Sequence, residues 1–179
     1  MADAPVVFAA SYESLIRLLG DKLDARAHER FRAHGVDLTK PLLPAYPLAT
    51  WIESLKVAMD LVAPGKPVEV ASHLVGRRLV TSLAETTVGK ALFALLRVIG
   101  HRRGLQRFTR SLRMTNNYSE TRLTELPDGS YELWCSNVTY AHYYRGVMEA
   151  GLESLGAKAV EVKVLTHDAQ GATFSLRFR

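Results

Sequence analysis

The sequence of 179 residues holds one cysteine, no long apolar run and no recognisable catalytic motif. Cys135 alone cannot close an internal disulfide, and a single thiol fits a reducing cytoplasm. No apolar run reaches the length a membrane-spanning helix needs. The opening Met1-Ala2-Asp3-Ala4-Pro5 lacks a basic region followed by an apolar stretch, so no secretory signal is expected. The histidines (His28, His34, His73, His101, His142 and His167) are scattered, none pairs with a nearby cysteine, and His-Glu-x-x-His is absent. Neither a structural zinc nor a catalytic metal is expected. Gly-x-Ser-x-Gly and a phosphate-cradling glycine loop are also missing, so no cofactor and no enzymatic activity are expected. Cys135 alternates beside Leu133 in an apolar strand pattern, which suits a packed residue better than a nucleophile.

Acids are absent over one long stretch. Arg97, Arg102, Arg103, Arg107, Arg110 and Arg113 follow one another with no Asp or Glu between them, and His101 sits among them. The net charge is +5. Such a patch can be a solvated helix face, or it can meet phosphate, an anionic lipid surface or an acidic protein. No recognition motif accompanies it, so nucleic acid is not an expected partner.

What is present reads as one domain over 1–179, helical to about 112 and sheet-forming from about 113. Hydrophobic residues make up 47%, enough for a real core at this length. Ser11 to Leu23 predicts a first helix, and Asp24 to Arg32 a short second one ending before Gly35. Three prolines make Pro41 to Pro47 a stiff extended connector, with Leu42, Leu43 and Tyr46 expected to lie on the core. Thr50 and Glu53 have capping-box spacing for a helix to about Val62. Pro67 suits the first turn of the next helix. Glu85 to Ile99 is the most apolar stretch and is expected to be central, buried on several sides. A basic helix from about Arg102 to Leu112 follows.

A strand is expected from about Met114 to Glu125. Leu126-Pro127-Asp128-Gly129-Ser130 is a turn, and Tyr131 to Ser136 returns as a second strand. Tyr140, Tyr143, Tyr144, Val147, Met148, Gly151, Leu152 and Leu155 share one face of a helix. That helix, Ala141 to Leu155, closes at Gly156. Val160, Val162 and Val164, then Ala172, Phe174, Leu176 and Phe178, alternate as a last hairpin. On the first strand Tyr118, Glu120 and Arg122 share one face and Asn117, Ser119 and Thr121 the other; either set can rim a pocket or lie on an exposed sheet face. The aromatic set Tyr131, Trp134, Tyr140, Tyr143 and Tyr144 is assigned to the core or to a subunit interface.

Pro41-Leu42-Leu43-Pro44-Ala45-Tyr46-Pro47, followed by Trp51, resembles a signature of a large paralogous family of myxobacterial proteins of unknown function. Gly76-Arg77-Arg78, Gly89-Lys90-Ala91-Leu92, Asn116 to Leu126, Tyr131-Glu132-Leu133-Trp134 and Arg145-Gly146-Val147 continue the resemblance over nearly the whole chain. The β-β-α-β-β end also resembles a wider superfamily of haem-nitric-oxide-binding domains, vinyl-4-reductase-type ligand-binding domains and TRAPP-complex subunits. That resemblance implies helices on a small antiparallel sheet, with haem, a small molecule or an acyl chain between them, and often a dimer. In the haem branch, the propionate motif Tyr-x-Ser-x-Arg corresponds here to Trp134-Cys135-Ser136-Asn137-Val138, which keeps only the serine. His101 is the nearest counterpart of the axial histidine, but beside Gly100 it reads as a helix-end residue.

The expected fold is α+β: an N-terminal helical layer on a four-stranded antiparallel sheet in β-β-α-β-β order. The expected function is a non-enzymatic, cytoplasmic ligand-sensing or protein-interaction domain working as a homodimer. An apolar or amphipathic small molecule is expected between the Glu85–Ile99 helix and the sheet. Leu92, Phe93, Leu96 and Phe108 are candidate walls, with Trp51 or Tyr118 at the mouth. Arg102, Arg103, Arg107 and Arg110 are candidates for an anionic head group or an acidic partner. The alternative is a ligand-free adaptor docking an acidic protein through its basic face. A haem sensor using His101 and an enzyme rank below both.

Overall fold

A computed structural model describes residues 4–85 and 87–179, with the side chains at 87–89, 92, 99, 101, 109 and 111 outside that description. The first element is a strand that the sequence pattern does not announce, Val6–Phe8 (β1). It leads into Ala9–Leu19 (α1), which tightens into a single 3-10 turn at Gly20–Lys22, so the regular helix stops four residues short of the expected Leu23. Ala25–Ala33 (α2) starts at Asp24, whose carboxylate accepts from the Ala27 amide at 2.7 Å. The proline-rich connector is extended as expected, and its end, Ala45–Pro47 (β2), pairs antiparallel with β1. Tyr46 is buried there, but Leu43 is 59% exposed and does not lie on the core.

Leu48–Val62 (α3) begins three residues earlier than a Thr50 cap allows. Thr50 is already helical, its carbonyl accepting from Ser54 Oγ, and Glu53 accepts from Lys56 Nζ at 2.7 Å instead of reaching back. Val68–Ala84 (α4) follows, then Thr87–Ile99 (α5), His101–Gln106 (α6) and Phe108–Arg113 (α7). The basic segment is thus two short helices. The centre belongs to α4, which touches α1, α3, α5 and the helix of the C-terminal half. It contrasts with α5, where Leu95 is 64% and Val98 85% exposed, so the expectation of a central Glu85–Ile99 helix is corrected. Small residues explain the difference: Ala71, Ser72 and Gly76 let neighbours approach α4 from several sides, which apolar density alone does not reveal.

The expected strand from Met114 shortens to Thr121–Glu125 (β3). Asn116 causes this, because its side-chain carbonyl accepts from the Tyr118 amide at 3.1 Å and the Ser119 amide at 2.8 Å. Such local bonding competes with a strand ladder. Tyr118 and Glu120 therefore share no strand face with Arg122. Tyr131–Ser136 (β4) follows a turn in which Gly129 adopts φ +79° and Asp128 accepts from the Ser130 amide and hydroxyl. Ala141–Ser154 (α8), Glu161–His167 (β5) and Gly171–Arg177 (β6) complete the chain. The antiparallel sheet has the order β3-β4-β6-β5. Its inner face, Leu133, Cys135, Val162, Ala172, Phe174 and Leu176, is covered by Tyr144, Met148 and Leu152 of α8. A second core gathers the N-terminal helices around Tyr12, Leu15, Phe31 and Val75. Among the described residues no helix is long and apolar enough to cross a membrane.

Candidate functional site

The site begins where two helix backbones touch. A Cβ on Gly76 of α4 would run into the Tyr143 carbonyl, and one on Gly146 of α8 would run into the His73 carbonyl. Only glycine allows this approach. On one side of the crossing lies a polar clasp. Glu149, 7% exposed, accepts from His73 Nε2 at 2.6 Å, Arg145 Nε at 2.8 Å and Arg77 Nη1 at 3.1 Å. Arg77 also reaches Glu153 at 2.6 Å. Burial pushes the Glu149 carboxyl up, but the hydrogen bonds from His73 and Arg145 outweigh it and hold the group below its ordinary value.

Elsewhere around this helix pair an apolar hollow of two lobes opens. The first lobe, about 200 Å³, is bordered by Val80 and Leu83 of α4, Phe93 and Leu96 of α5, Leu105 and Phe108, and by Met148, Gly151, Leu152 and Leu155 of α8. Arg107 stands on its border and supplies the only charge among the described lining residues. The second lobe, also about 200 Å³, is bordered by Val7, Ser11, Ser14, Trp51, Leu112, Thr115, Asn116, Tyr118, Tyr143 and Tyr144. Leu83, Phe108 and Val147 border both lobes, which adjoin at these side chains.

Most polar groups of the second lobe are already occupied. Ser14 donates to the Ala10 carbonyl at 2.9 Å, Thr115 to the Leu112 carbonyl at 2.7 Å, and Asn116 holds the turn described above. Three tyrosines remain. The Tyr143 and Tyr144 rings meet edge to face, 5.5 Å apart. Burial pushes all three hydroxyls upward, Tyr144 to about 12, so each stays a neutral donor at physiological pH. The nearby Ser119 hydroxyl is buried, makes no well-formed hydrogen bond and lies close enough to Tyr144 to act on its hydroxyl.

Of the residues singled out from sequence, Trp51 and Tyr118 border the second lobe, Phe93 and Leu96 the first, and Phe108 both. The Leu92 and His101 side chains lie outside the described residues. The hollow lies between helices: α8 covers the sheet, and no strand of the four-stranded sheet contributes to either lobe. The expected position directly against the sheet is thereby corrected. Arg103 and Arg110 are exposed, whereas Arg102 pairs with Glu125 at 2.6 Å and Arg113 lies 3.7 Å from Glu120. Sequence reasoning missed Tyr143 and Tyr144 as lining, although their adjacency at the start of α8 was visible. It also missed the clasp: Arg145 and Glu149 are four positions apart on α8, but His73 and Arg77 join them from 72 or more positions away and leave no local signal. Cys135 is 1% exposed and burial pushes its thiol up to about 12, which leaves it unreactive at neutral pH. Among the described residues no three His, Cys, Asp or Glu side chains are placed to hold a metal ion.

This architecture is that of the H-NOX fold. An H-NOX protein from S. oneidensis in the Fe(II)NO ligation state superposes with a TM-score of 0.63 at 12% identity, over 96% of this chain and 99% of that one. An oxygen-binding H-NOX domain related to soluble guanylate cyclases gives 0.64 at 14%, over 95% and 93%. An unliganded Fe(II) H-NOX mutant from K. algicida gives 0.59 at 13%, over 95% of each chain. The chain itself belongs to the family described as "Protein of unknown function (DUF2378)", which matches residues 5–178. No curated protein matches it.

The described residues do not fit haem. Neither lobe is bordered by a described histidine or cysteine, and Met148 supplies the only sulfur. Ser136 is committed elsewhere: its hydroxyl accepts from the Glu120 amide at 2.9 Å and donates to the Tyr118 carbonyl at 3.3 Å. Val138, where an anchoring arginine would stand, is buried in the sheet core, and Trp134 lies under the Arg122 guanidinium.

Proposed function

We propose that this protein is a non-enzymatic ligand-sensing domain that holds an apolar or amphipathic small molecule in the two-lobed hollow between α4, α5–α7 and α8. The carrying observation is the first lobe, about 200 Å³ walled almost wholly by hydrocarbon. The lobe is partly open to solvent, so an apolar guest gains by covering its walls, at about 25 cal/mol per Å² of apolar surface removed from water. The fold neighbours agree with a sensor, since the H-NOX proteins named above are described in Fe(II), nitric oxide or oxygen states. In this reading the domain signals from the cytoplasm as a homodimer, and α5 to α7, which wall the first lobe, carry the ligand state to the surface.

Native mass spectrometry of the full-length protein tests the reading, together with Gly151→Leu. Gly151 borders the first lobe and has open space where a Cβ would stand. The wild type is expected to carry extra mass that leaves on denaturation. The leucine is expected to fill the lobe, raise the apo melting temperature by a few degrees and abolish that extra mass. A clean unliganded wild type with an unchanged Gly151→Leu melting point sinks the proposal.

One observation favours a second reading, an adaptor that docks an acidic protein. The α5 helix leaves Leu95 and Val98 exposed close in sequence to the exposed Arg97 and Arg103. An unliganded dimer whose partner binding is lost on reversing Arg103 and Arg110 to Glu favours the adaptor.

A further inference from the structure

The two lobes differ in polarity, and the difference specifies the occupant. We propose that the ligand is a single-chain amphiphile with an uncharged oxygen head, an alcohol or carbonyl rather than a carboxylate. Its tail lies in the first lobe and its head at Tyr118 and Tyr144 in the second. This inference rests on the hollow being a ligand site at all.

The tail end is argued from the wall. Phe93, Leu105, Met148, Leu152 and Leu155 offer nothing that hydrogen-bonds strongly. Arg107 is the one charged residue described on this border and has an interaction of its own; deeper in the lobe a polar group would lose its water without replacement. Leu83, Phe108 and Val147 border both lobes, so the two adjoin there, and the proposed chain runs from one to the other past these three side chains.

The head is argued from what the second lobe has and lacks. Tyr118 and Tyr144 lie close enough for their hydroxyls to influence one another. With Ser119 beside Tyr144, three hydroxyls joined in a chain by two hydrogen bonds still keep one O–H to donate outward and lone pairs to accept with. That set matches an alcohol or a carbonyl. No cationic side chain borders this lobe among the described residues. A carboxylate head there would be a buried charge without a counter-charge, which proteins avoid. The tyrosines do not supply one by ionising, because their hydroxyls are raised, not lowered.

The test uses the full-length protein with Trp134→Phe, so that Trp51, which borders the second lobe, is the only tryptophan. Decanol, decanoate and decane are titrated at mildly alkaline pH while Trp51 emission and melting temperature are followed. Decanol is expected to bind at least about tenfold more tightly than decanoate. Tyr118→Phe with Tyr144→Phe is expected to cut decanol affinity by about tenfold and to leave decane unchanged. Decanoate binding as tightly as decanol overturns the uncharged head while the hollow remains a ligand site. So does a phenylalanine variant that weakens decane and decanol alike. Failure of all three probes to bind overturns the ligand reading itself. A stoichiometric haem complex with a sharp Soret band overturns both.

Discussion

Glu149 shows how much one side chain can hold. It lies at the glycine-lined crossing of α4 and α8, takes hydrogen bonds from His73, Arg77 and Arg145 and is nearly out of water. Glu149→Gln keeps the shape and removes the charge; a cost of about 2 kcal/mol is expected, below the fully buried limit because Arg77 and Arg145 are partly solvated. The acid side of the pH profile follows from the lowered Glu149 value. A carboxyl depressed in the folded state stabilises fully above its unfolded value, near 4.5, and loses that contribution as pH falls through the folded value. Urea denaturation of wild type and variant should show a constant stability gap from neutral pH down to about 4.5 and a shrinking gap below it. A gap that persists through the acid range means the charge is not what the variant removed.

At the level of elements, α4 and α5 exchange the roles their compositions suggest. Val75 of α4 is fully buried, whereas Val98 of α5 is open to solvent. Val75→Asp is expected to cost more than about 4 kcal/mol, and Val98→Lys to change stability by no more than about 0.5 kcal/mol, both read by chemical denaturation. Unfolding by Val98→Lys would show that α5 is packed on all sides after all. The hairpins were legible because their signals are local: alternation in Tyr131–Ser136 and Gly171–Arg177, and a Pro-Asp-Gly turn between the first pair. Helix α8 was legible from its apolar spacing. The end of β3 was not, because Asn116 folds its own backbone away from the ladder, and asparagine in a strand-like context does not say which way it will bond. The centrality of α4 was hidden for another reason. Small residues mark close packing only when the opposing element is known, and Gly76 finds Tyr143 across 67 positions of sequence. For the hollow, the aromatic and leucine walls were foreseeable as apolar residues, but which layer they faced depended on where α8 came to rest.

For the whole molecule, two cores meet along the α4–α8 contact, and a strap at one end ties them. Phe8 donates from its amide to the Thr115 carbonyl at 2.8 Å, and Val6 donates to the Asn117 side-chain carbonyl at the same distance. The Asn117 side-chain amide returns a bond to the Ala4 carbonyl at 3.0 Å. Asn117→Ala removes both side-chain bonds. A loss of roughly 1–2 kcal/mol is expected, with faster hydrogen exchange at Val6 and Phe8 and little change in β4 or β6. Unchanged protection at Val6 would mean that β2 and the backbone bonds to Thr115 and Asn117 hold the strand without the Asn117 side chain.

That strap also orders events during synthesis. Val6 and Asn117 are 111 positions apart, so at ordinary translation rates β1 waits roughly 5–20 s for its second partner to leave the ribosome. Val7 borders the tyrosine lobe, and until Asn117 arrives that lobe lacks a wall. The tyrosine lobe is therefore a late product of biogenesis, complete only once Asn116, Tyr118 and the start of α8 have followed the amino-terminal helices out.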